Sequence, residues 1–490
     1  LLAPPVSNDF GSDVGGDARY SITPNLTADV TVNTDFAQVE IDEQQVNLTR
    51  FSLFFPEKRD FFLEGRGVFD FARGGVGAGG FNAGATDTPF LFYSRRIGLN
   101  AGRVVPIDAG GRVTGKVGPY ALGIVNIQTA DETVSETQAT NFTVLRLKRD
   151  VLRRSAIGVM ATNRSVSALG TGSNQSYGVD GSFGLTRDLS LAAYWARTAT
   201  TGMRGDDQSY EGRFDYNADR YGARVEHLSV GANFNPEVGF LRRADFNRSF
   251  AELRFSPRPA RIKSVRKFTW SGSGEYIETG AGAVDTRVWQ GHFGTEFENS
   301  DQLSIDVGRT YERLVDPFTP AGSPVPIDAG GYSFNDISAS YQFGAQRRVS
   351  GGIALRVGEY YNGTIKSLTL GPASNSPGRV SLHRQLSVEP TFSISRIELP
   401  NASFTTRLAR ARVDYAFTPL MFASGLLQYN SADRAFSTNF RFRWEYAPGS
   451  ELFLVYTDER DTRADGLSPT AVRGLKSRVF VVKVNRLIRL

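Results

Sequence analysis

Residues 436 to 446 alternate without a break between two kinds of side chain. Phe436, Thr438, Phe440, Phe442, Trp444 and Tyr446 hold the even positions, and Ser437, Asn439, Arg441, Arg443 and Glu445 the odd ones. Successive side chains of a strand point to opposite faces, so this run predicts a strand with one aromatic and one charged face. The pattern recurs in 405 to 417, where Ala409, Ala411, Val413, Tyr415 and Phe417 oppose Arg410, Arg412 and Asp414. It recurs again in 176 to 185, with Tyr177, Val179, Phe183 and Leu185 opposite Ser176, Asp180 and Ser182. Soluble strands usually run about 5 or 6 residues, whereas crossing a bilayer at a tilt takes roughly 9 to 11, and these runs have the longer length. A soluble sandwich alternates too, so the chemistry of the strand ends matters. Tyr341, Phe343, Tyr415, Phe417, Trp444 and Tyr446 crowd there, where membrane barrels carry their aromatic girdles.

No apolar run approaches the roughly 18 to 20 residues of a spanning helix; even 420 to 427 is interrupted by Ser424 and Gly425. Only helices and closed barrels satisfy their backbone within lipid, which leaves a soluble protein or a β-barrel. Apolar residues make up 40% of the chain, while Gly (51), Phe (35) and Tyr (18) far outnumber Met (3) and His (3). Such a mixture suits strands that turn sharply and present rings on a surface. With no cysteine, disulfides and thiolate metal sites are excluded. A net charge of +5 from 56 basic and 51 acidic residues is too small and too evenly spread to indicate nucleic acid. Leu1 to Pro5 has neither a basic start nor an apolar core, so the chain reads as a mature or trimmed form of a secreted protein.

Connections alternate in length. Short ones fall near Gly118-Pro119, Arg187-Asp188, Ala218-Asp219, Asn299-Ser300, Thr418-Pro419 and Pro448-Gly449. Longer ones fall near 130–138, 164–174, 199–206, 231–243, 313–330 and 459–474. Short periplasmic turns and long outer loops are the outer-membrane signature. Two strands are predicted within 17 to 33, joined at Thr23-Pro24-Asn25, about 21 from residue 111 onward, and a first strand at Leu1 to Val6. The expectation is a large transmembrane antiparallel up-and-down barrel of about 24 strands, range 20 to 26. Residues 1–33 give the first strands, 34–110 an inserted plug or cap segment with a Gly-rich loop, and 111–490 the remainder.

The inserted segment differs from everything around it. From Asp35 to Glu64 it mixes Asp35, Glu40, Asp42, Glu57, Arg59 and Glu64 with Phe36, Phe54, Phe55 and Phe62, without a period of 2 or 3.6. That density of charge argues against a lipid-facing strand, and that many rings against a free linker. Gln45, Arg50, Arg95 and Arg96 are grouped with it as a plug or cap. Gly75, Gly77 and Gly80 match G-x-G-x-x-G, but a dinucleotide loop requires a following helix, and residues 81–86 do not form one by pattern. The carboxylates Asp35, Glu40, Asp42, Glu57, Asp60 and Glu64 could act as general acid and base or bind Ca²⁺. The simpler reading is that they pair with Arg50, Lys58, Arg59, Arg95, Arg96 and arginines of the wall. Arg146, Lys148, Arg410, Arg412, Arg441, Arg443, Lys483 and Arg489 fall on the inward face. Rings of such residues favour anions in pores; alternatively they hold the acidic segment, which is the preferred reading. His227, His292 and His383 are isolated, and no G-x-S-x-G, H-E-x-x-H or P-loop occurs. No catalytic residue, metal or cofactor is expected.

Residues 26–65 (LTADVTVNTDFAQVEIDEQQVNLTRFSLFFPEKRDFFLEG), 91–99 (LFYSRRIGL) and 105–129, with 415–456, resemble the barrel half of a bacterial outer-membrane family of unassigned function. Its members usually carry an N-terminal domain similar to family-nine carbohydrate-binding modules. That domain is absent here, so a sugar-binding role has no residues to rest on. Asp60 stands where the family pattern PEKRPFF has proline. Some relatives are labelled hydrolases, but the family offers no catalytic residues to carry over.

These readings converge on a non-enzymatic protein of the Gram-negative outer membrane, a porin-like channel or uptake component whose lumen is partly filled by residues 34–100. One alternative is an anchor or scaffold for partner proteins with a closed lumen, and another is a barrel-associated glycan hydrolase. The expected partners are outer-membrane lipid and lipopolysaccharide, periplasmic or surface proteins, and an anionic or saccharide solute, with no nucleic acid. An active transporter fits less well, because plugs of that class precede the first strand and this one follows a hairpin.

Overall fold

The structure is a computed structural model that describes residues 10–34, 41–72, 87–100, 103–133, 136–371, 379–462 and 474–488. The alternating runs are strands of one antiparallel sheet of 24 strands. The run at 436 to 446 lies in Ala435–Ala447, that at 405 to 417 in Ala402–Thr418, and that at 176 to 185 in Asn174–Gly184. Gly16–Thr23 pairs with Leu26–Val32 across the turn at Pro24 and Asn25. Leu26–Val32 then pairs with Ile107–Val117, so the inserted segment leaves and rejoins the sheet between adjacent strands. From there each strand pairs its sequence neighbour as far as Leu475–Asn485, except that Gly363–Gly371 and Val380–His383 both pair with Leu386–Leu399. Outside the sheet, the described residues form a short helix at Asp60–Leu63, 3-10 turns at Arg66–Phe69 and Ser94–Arg96, and a two-residue ladder of Leu99–Asn100 with Arg103–Val104.

The sheet departs from the expected barrel in one respect. Among the described residues no backbone pairing joins Gly16–Thr23 to Leu475–Asn485. Parity excludes an antiparallel closure. Gly363–Gly371 and Val380–His383 both pair antiparallel with Leu386–Leu399, so they share one edge as a single interrupted strand. The 24 strands then fill one position fewer, an odd number, and the first and last strands run in the same direction. They cannot be joined by the antiparallel ladder that links all the others. The candidate first strand at Leu1 to Val6 lies outside the described residues, as do Asp35, Phe36, Glu40, the Gly-rich run 74–80 and Arg489.

The sheet is strongly curled. Gln428, on Met421–Asn430, donates from Nε2 to the Asp42 carbonyl at 3.1 Å. Asp42 forms an ion pair with Arg95, and the adjacent Arg96 donates from Nε to the Gly239 carbonyl at 3.0 Å, beside Phe246–Phe255. In a flat sheet those two strands would stand about 43 Å apart, nine steps of roughly 4.8 Å. Three residues bridge them, so the strands face each other across an interior.

The outward face is apolar, and the inward face mixes apolar with polar residues. Leu147, Val159, Val179, Trp195 and Tyr210 lie side by side on consecutive strands and are 37–49% exposed. On the opposite face Arg146, Asn174, Ser176, Gln428, Ser437 and Asn439 are buried. Inward burial is also uneven along each strand. In Thr140–Leu152 the inward residues from Thr140 to Arg146 are buried and Asp150 is exposed, and in Asn174–Gly184 burial ends after Gly178. The interior is therefore filled in its half nearest the long loops and open towards the short turns.

At the short-turn end Asp301, 2% exposed, ties two neighbouring turns together. Its carboxylate accepts from the Gly344 amide at 2.8 Å, Tyr341 Oη at 2.8 Å and Arg347 Nη2 at 2.7 Å. Burial alone would raise its pKa, but the Gly344 amide, the Tyr341 hydroxyl and the Arg347 charge outweigh that and hold it below the usual carboxylate range. Its contribution is therefore present above the unfolded value of about 3.9 and is lost as pH falls through the lower folded value. Asp301→Ala is expected to lower stability to urea by about 1–3 kcal/mol at pH 7, with the difference from the parent shrinking as pH falls through the lowered folded value.

Candidate functional site

Residues 41–59 cross the interior as extended chain and then form the short helix Asp60–Leu63. Asp60 opens that helix, a position that accepts an acidic residue or a proline equally well, so Asp60 keeps the local structure that the family's proline would also allow. Gly65 follows with φ of 66°, and a Cβ there would lie 2.8 Å from Thr114 Oγ1. The chain needs this glycine to turn into Arg66–Phe69 against the wall.

Glu57 is the centre of the segment's internal fastening. It forms an ion pair with Arg59 at 2.7 Å, the two side chains being 8% and 6% exposed. Ser94 Oγ donates to Glu57 Oε2 at 2.6 Å, and Arg59 donates to the Ile97 carbonyl at 2.7 Å and the Ser94 carbonyl at 2.8 Å. Burial pushes the Glu57 carboxyl up, but the Arg59 guanidinium, the Ser94 hydroxyl and the Arg59 amide more than offset it, leaving the pKa below the ordinary range. Arg59 also covers the Phe62 ring at 4.3 Å. Tyr93 donates to the Phe55 carbonyl at 2.5 Å, and burial raises its hydroxyl to about 12. Phe54 stacks on Tyr93 at 4.8 Å and on Phe90 at 5.2 Å, with Phe240 edge-on at 5.4 Å. The rings that seemed too many for a linker form the middle of an interior body.

That body is pinned to the wall by charge. Arg112, 2% exposed in its side chain, pairs with Asp29 at 2.6 Å and with Glu64 at 3.2 Å. Arg50 reaches two wall carboxylates, Asp285 at 2.7 Å and Glu312 at 2.6 Å. Beside it the Phe51 ring lies under Arg50, Arg242 and Arg243 at 4.4–4.7 Å. Arg146 pairs with Asp180, donates to the Asp70 carbonyl at 2.8 Å and lies 5.5 Å from the Phe71 ring. Glu43 takes both Arg410 and Arg412, the latter at 3.2 Å. The Gln44 amide donates to Gln428 Oε1 at 2.8 Å, and the Gln45 carbonyl accepts weakly from Asn430 at 3.4 Å. Arg443 pairs instead with Glu451 within the wall, while Lys148 and Lys483 occupy half-buried inward positions.

The sequence reading groups the right residues but mispairs several. Asp42 with Arg95 and Glu57 with Arg59 are pairs of the expected kind. Arg50, expected to hold a carboxylate of the segment, holds two from the wall instead, and Arg96 donates to the Gly239 carbonyl. Wall partners Asp29, Arg112, Asp180, Asp285 and Glu312 were missed, because nothing in local spacing marks partners that lie 34 to 262 residues apart. The loop 231–245 was also missed as part of the interior. Phe234 and Val238 are buried in the same apolar cluster as Phe62, Phe69 and Leu91, and Phe240 pairs its backbone with Phe90. A loop carrying Phe234, Val238, Phe240 and Leu241 is too apolar to lie in water, and that was the available signal.

Chemically this is a fastening. Asp42, Glu43, Glu57 and Glu64 are each engaged by arginine, and Glu64 and Glu43 share theirs with the wall carboxylates Asp29 and Glu389. The fold defines an all-β protein, one curled antiparallel sheet around an inner segment. A family model described as a domain of unknown function (DUF5916) matches residues 6–109, which span the first hairpin and the inner segment. No curated protein matches the chain.

Proposed function

We propose that this chain is an outer-membrane β-barrel whose lumen is constricted by residues 41–72 and 87–100, working as a channel or uptake component. The single observation that carries this reading is the outward apolar face, with Leu147, Val159, Val179, Trp195 and Tyr210 exposed side by side, around an interior that buries Arg, Asn, Gln and Ser beside apolar residues. Exposed apolar surface on that scale suits lipid and is costly in water, and a polar interior is the barrel arrangement. Exposed rings near strand ends, among them Phe417, Trp444 and Tyr446, suit the headgroup level.

The density of ion pairs between segment and wall favours the second reading, a closed anchor or scaffold. Purification decides the membrane claim: the full chain is expected to need detergent and to enter lipid vesicles, and a monodisperse water-soluble monomer would overturn it. Planar-bilayer recording then separates channel from scaffold, since steady conductance supports the first and silence the second.

A further inference from the structure

One wall arginine lacks the partner that its neighbours have. Arg410 and Arg412 meet Glu43, Arg443 meets Glu451 and Arg146 meets Asp180. Arg441 has no carboxylate within ion-pair distance among the described residues, and its Nε is buried without any hydrogen-bond partner. Its one polarised contact is the Phe422 ring, 5.7 Å away. Arg441 lines a cavity of about 680 Å³ between the inner segment and the strands Ala402–Thr418 and Ala435–Ala447.

The wall contributes Arg412 and Arg441, and the segment contributes the apolar Phe55, Pro56 and Leu63 together with the cations Lys58 and Arg66. Its carboxylates are already neutralised, Asp42 by Arg95, Glu57 by Arg59, and Glu43 by Arg410 as well as Arg412. A buried donor without an acceptor is costly, and a planar guanidinium fork matches the two oxygens of a carboxylate or phosphate. The volume falls within the roughly 300–1,000 Å³ of small-molecule sites, and apolar side chains beside an orphaned cation suit a solute with an anionic end and an apolar body. We propose that this cavity binds a small organic oxyanion, with Arg441 as its anion-recognising residue. The site stands on the wall and segment alone, independently of whether the sheet sits in a bilayer.

Calorimetric titration of the full chain in detergent micelles at low salt tests this, using phthalate, its neutral diamide phthalamide, and inorganic phosphate. Phthalate is expected to bind, phosphate at least tenfold more weakly, and phthalamide not at all. Arg441→Gln should weaken phthalate at least tenfold and Arg441→Lys by less, because it keeps the charge but loses the fork. Arg443→Gln, which removes a residue paired elsewhere, should leave affinity unchanged. Absence of phthalate binding, binding unchanged in Arg441→Gln, or phosphate binding as well as phthalate would each overturn the proposal. Should Arg441→Gln fail to fold, an unchanged affinity in Arg441→Lys would overturn the bidentate role. A protein that binds phthalate but stays silent in bilayers keeps this site and loses the channel; one that conducts but binds nothing does the reverse.

Discussion

Glu57→Ala is expected to unlatch the interior body, raising amide hydrogen exchange across residues 55–62 and 94–97 far above the parent. The change takes Glu57 from the Arg59 guanidinium, whose side chain is 6% exposed. Breaking a buried pair in this way costs about 3–5 kcal/mol, which is roughly a 150- to 5,000-fold shift towards the open form, at 1.36 kcal/mol per tenfold. Glu57→Gln keeps the shape and a hydrogen bond while losing the charge, and should fall between variant and parent. pH gives an independent handle. The folded Glu57 carboxyl is depressed, so the latch is fully present above the unfolded value of about 4.3 and loosens as pH falls through the folded value. Protection of these amides, corrected for the intrinsic exchange rate, should therefore fall in the parent as pH drops through the lowered folded value, while Glu57→Ala should show no such step. A difference below tenfold at pH 7 would mean that aromatic packing, and not this pair, holds the segment.

How much of this was legible in the sequence follows from the range of each interaction. The strands were readable because a period of two repeats over ten or more residues, as in Ala435–Ala447 and Ala402–Thr418. The inward arginines were readable for the same reason, since Arg146, Arg410, Arg412, Arg441 and Arg443 each fall on the polar phase of an alternating run. Pairing was not readable. Arg50 reaches Asp285 and Glu312, partners 235 and 262 residues away, and only the curl of the sheet brings them together. The parity of the ladder was hidden as well. One position is shared by Gly363–Gly371 and Val380–His383, and by pattern the two look like separate strands. The interior position of 231–245 was partly legible, because its apolar residues contradict an external loop, yet its length alone suggested one.

The second large effect is expected from freeing the segment at two places. Arg50→Ala removes its hold on the wall formed by Val284–Phe297 and Gln302–Leu314, leaving Glu312 with the Tyr361 hydroxyl and Asp285 with Arg243. Those remaining partners keep the wall folded while the segment loses its anchor. Combined with Glu57→Ala, the summed loss has an upper bound of roughly 6–10 kcal/mol, comparable with the whole stability of an ordinary domain at about 5–15 kcal/mol. The segment should then leave its seat in most molecules. Barrels of 16–18 strands already leave an aqueous channel and 22-stranded ones need a plug, so an unseated segment in a closed sheet of this width should expose a wide pore. In planar bilayers the double variant is expected to conduct steadily at no less than about tenfold the parent's current, and each single variant to flicker between the two levels. Hydrogen exchange on the same preparation reports whether the segment has moved. Released amides together with a silent membrane would mean that the sheet encloses no continuous pore. The arginine contacts would then belong to a scaffold, and the channel reading would fail on its own terms.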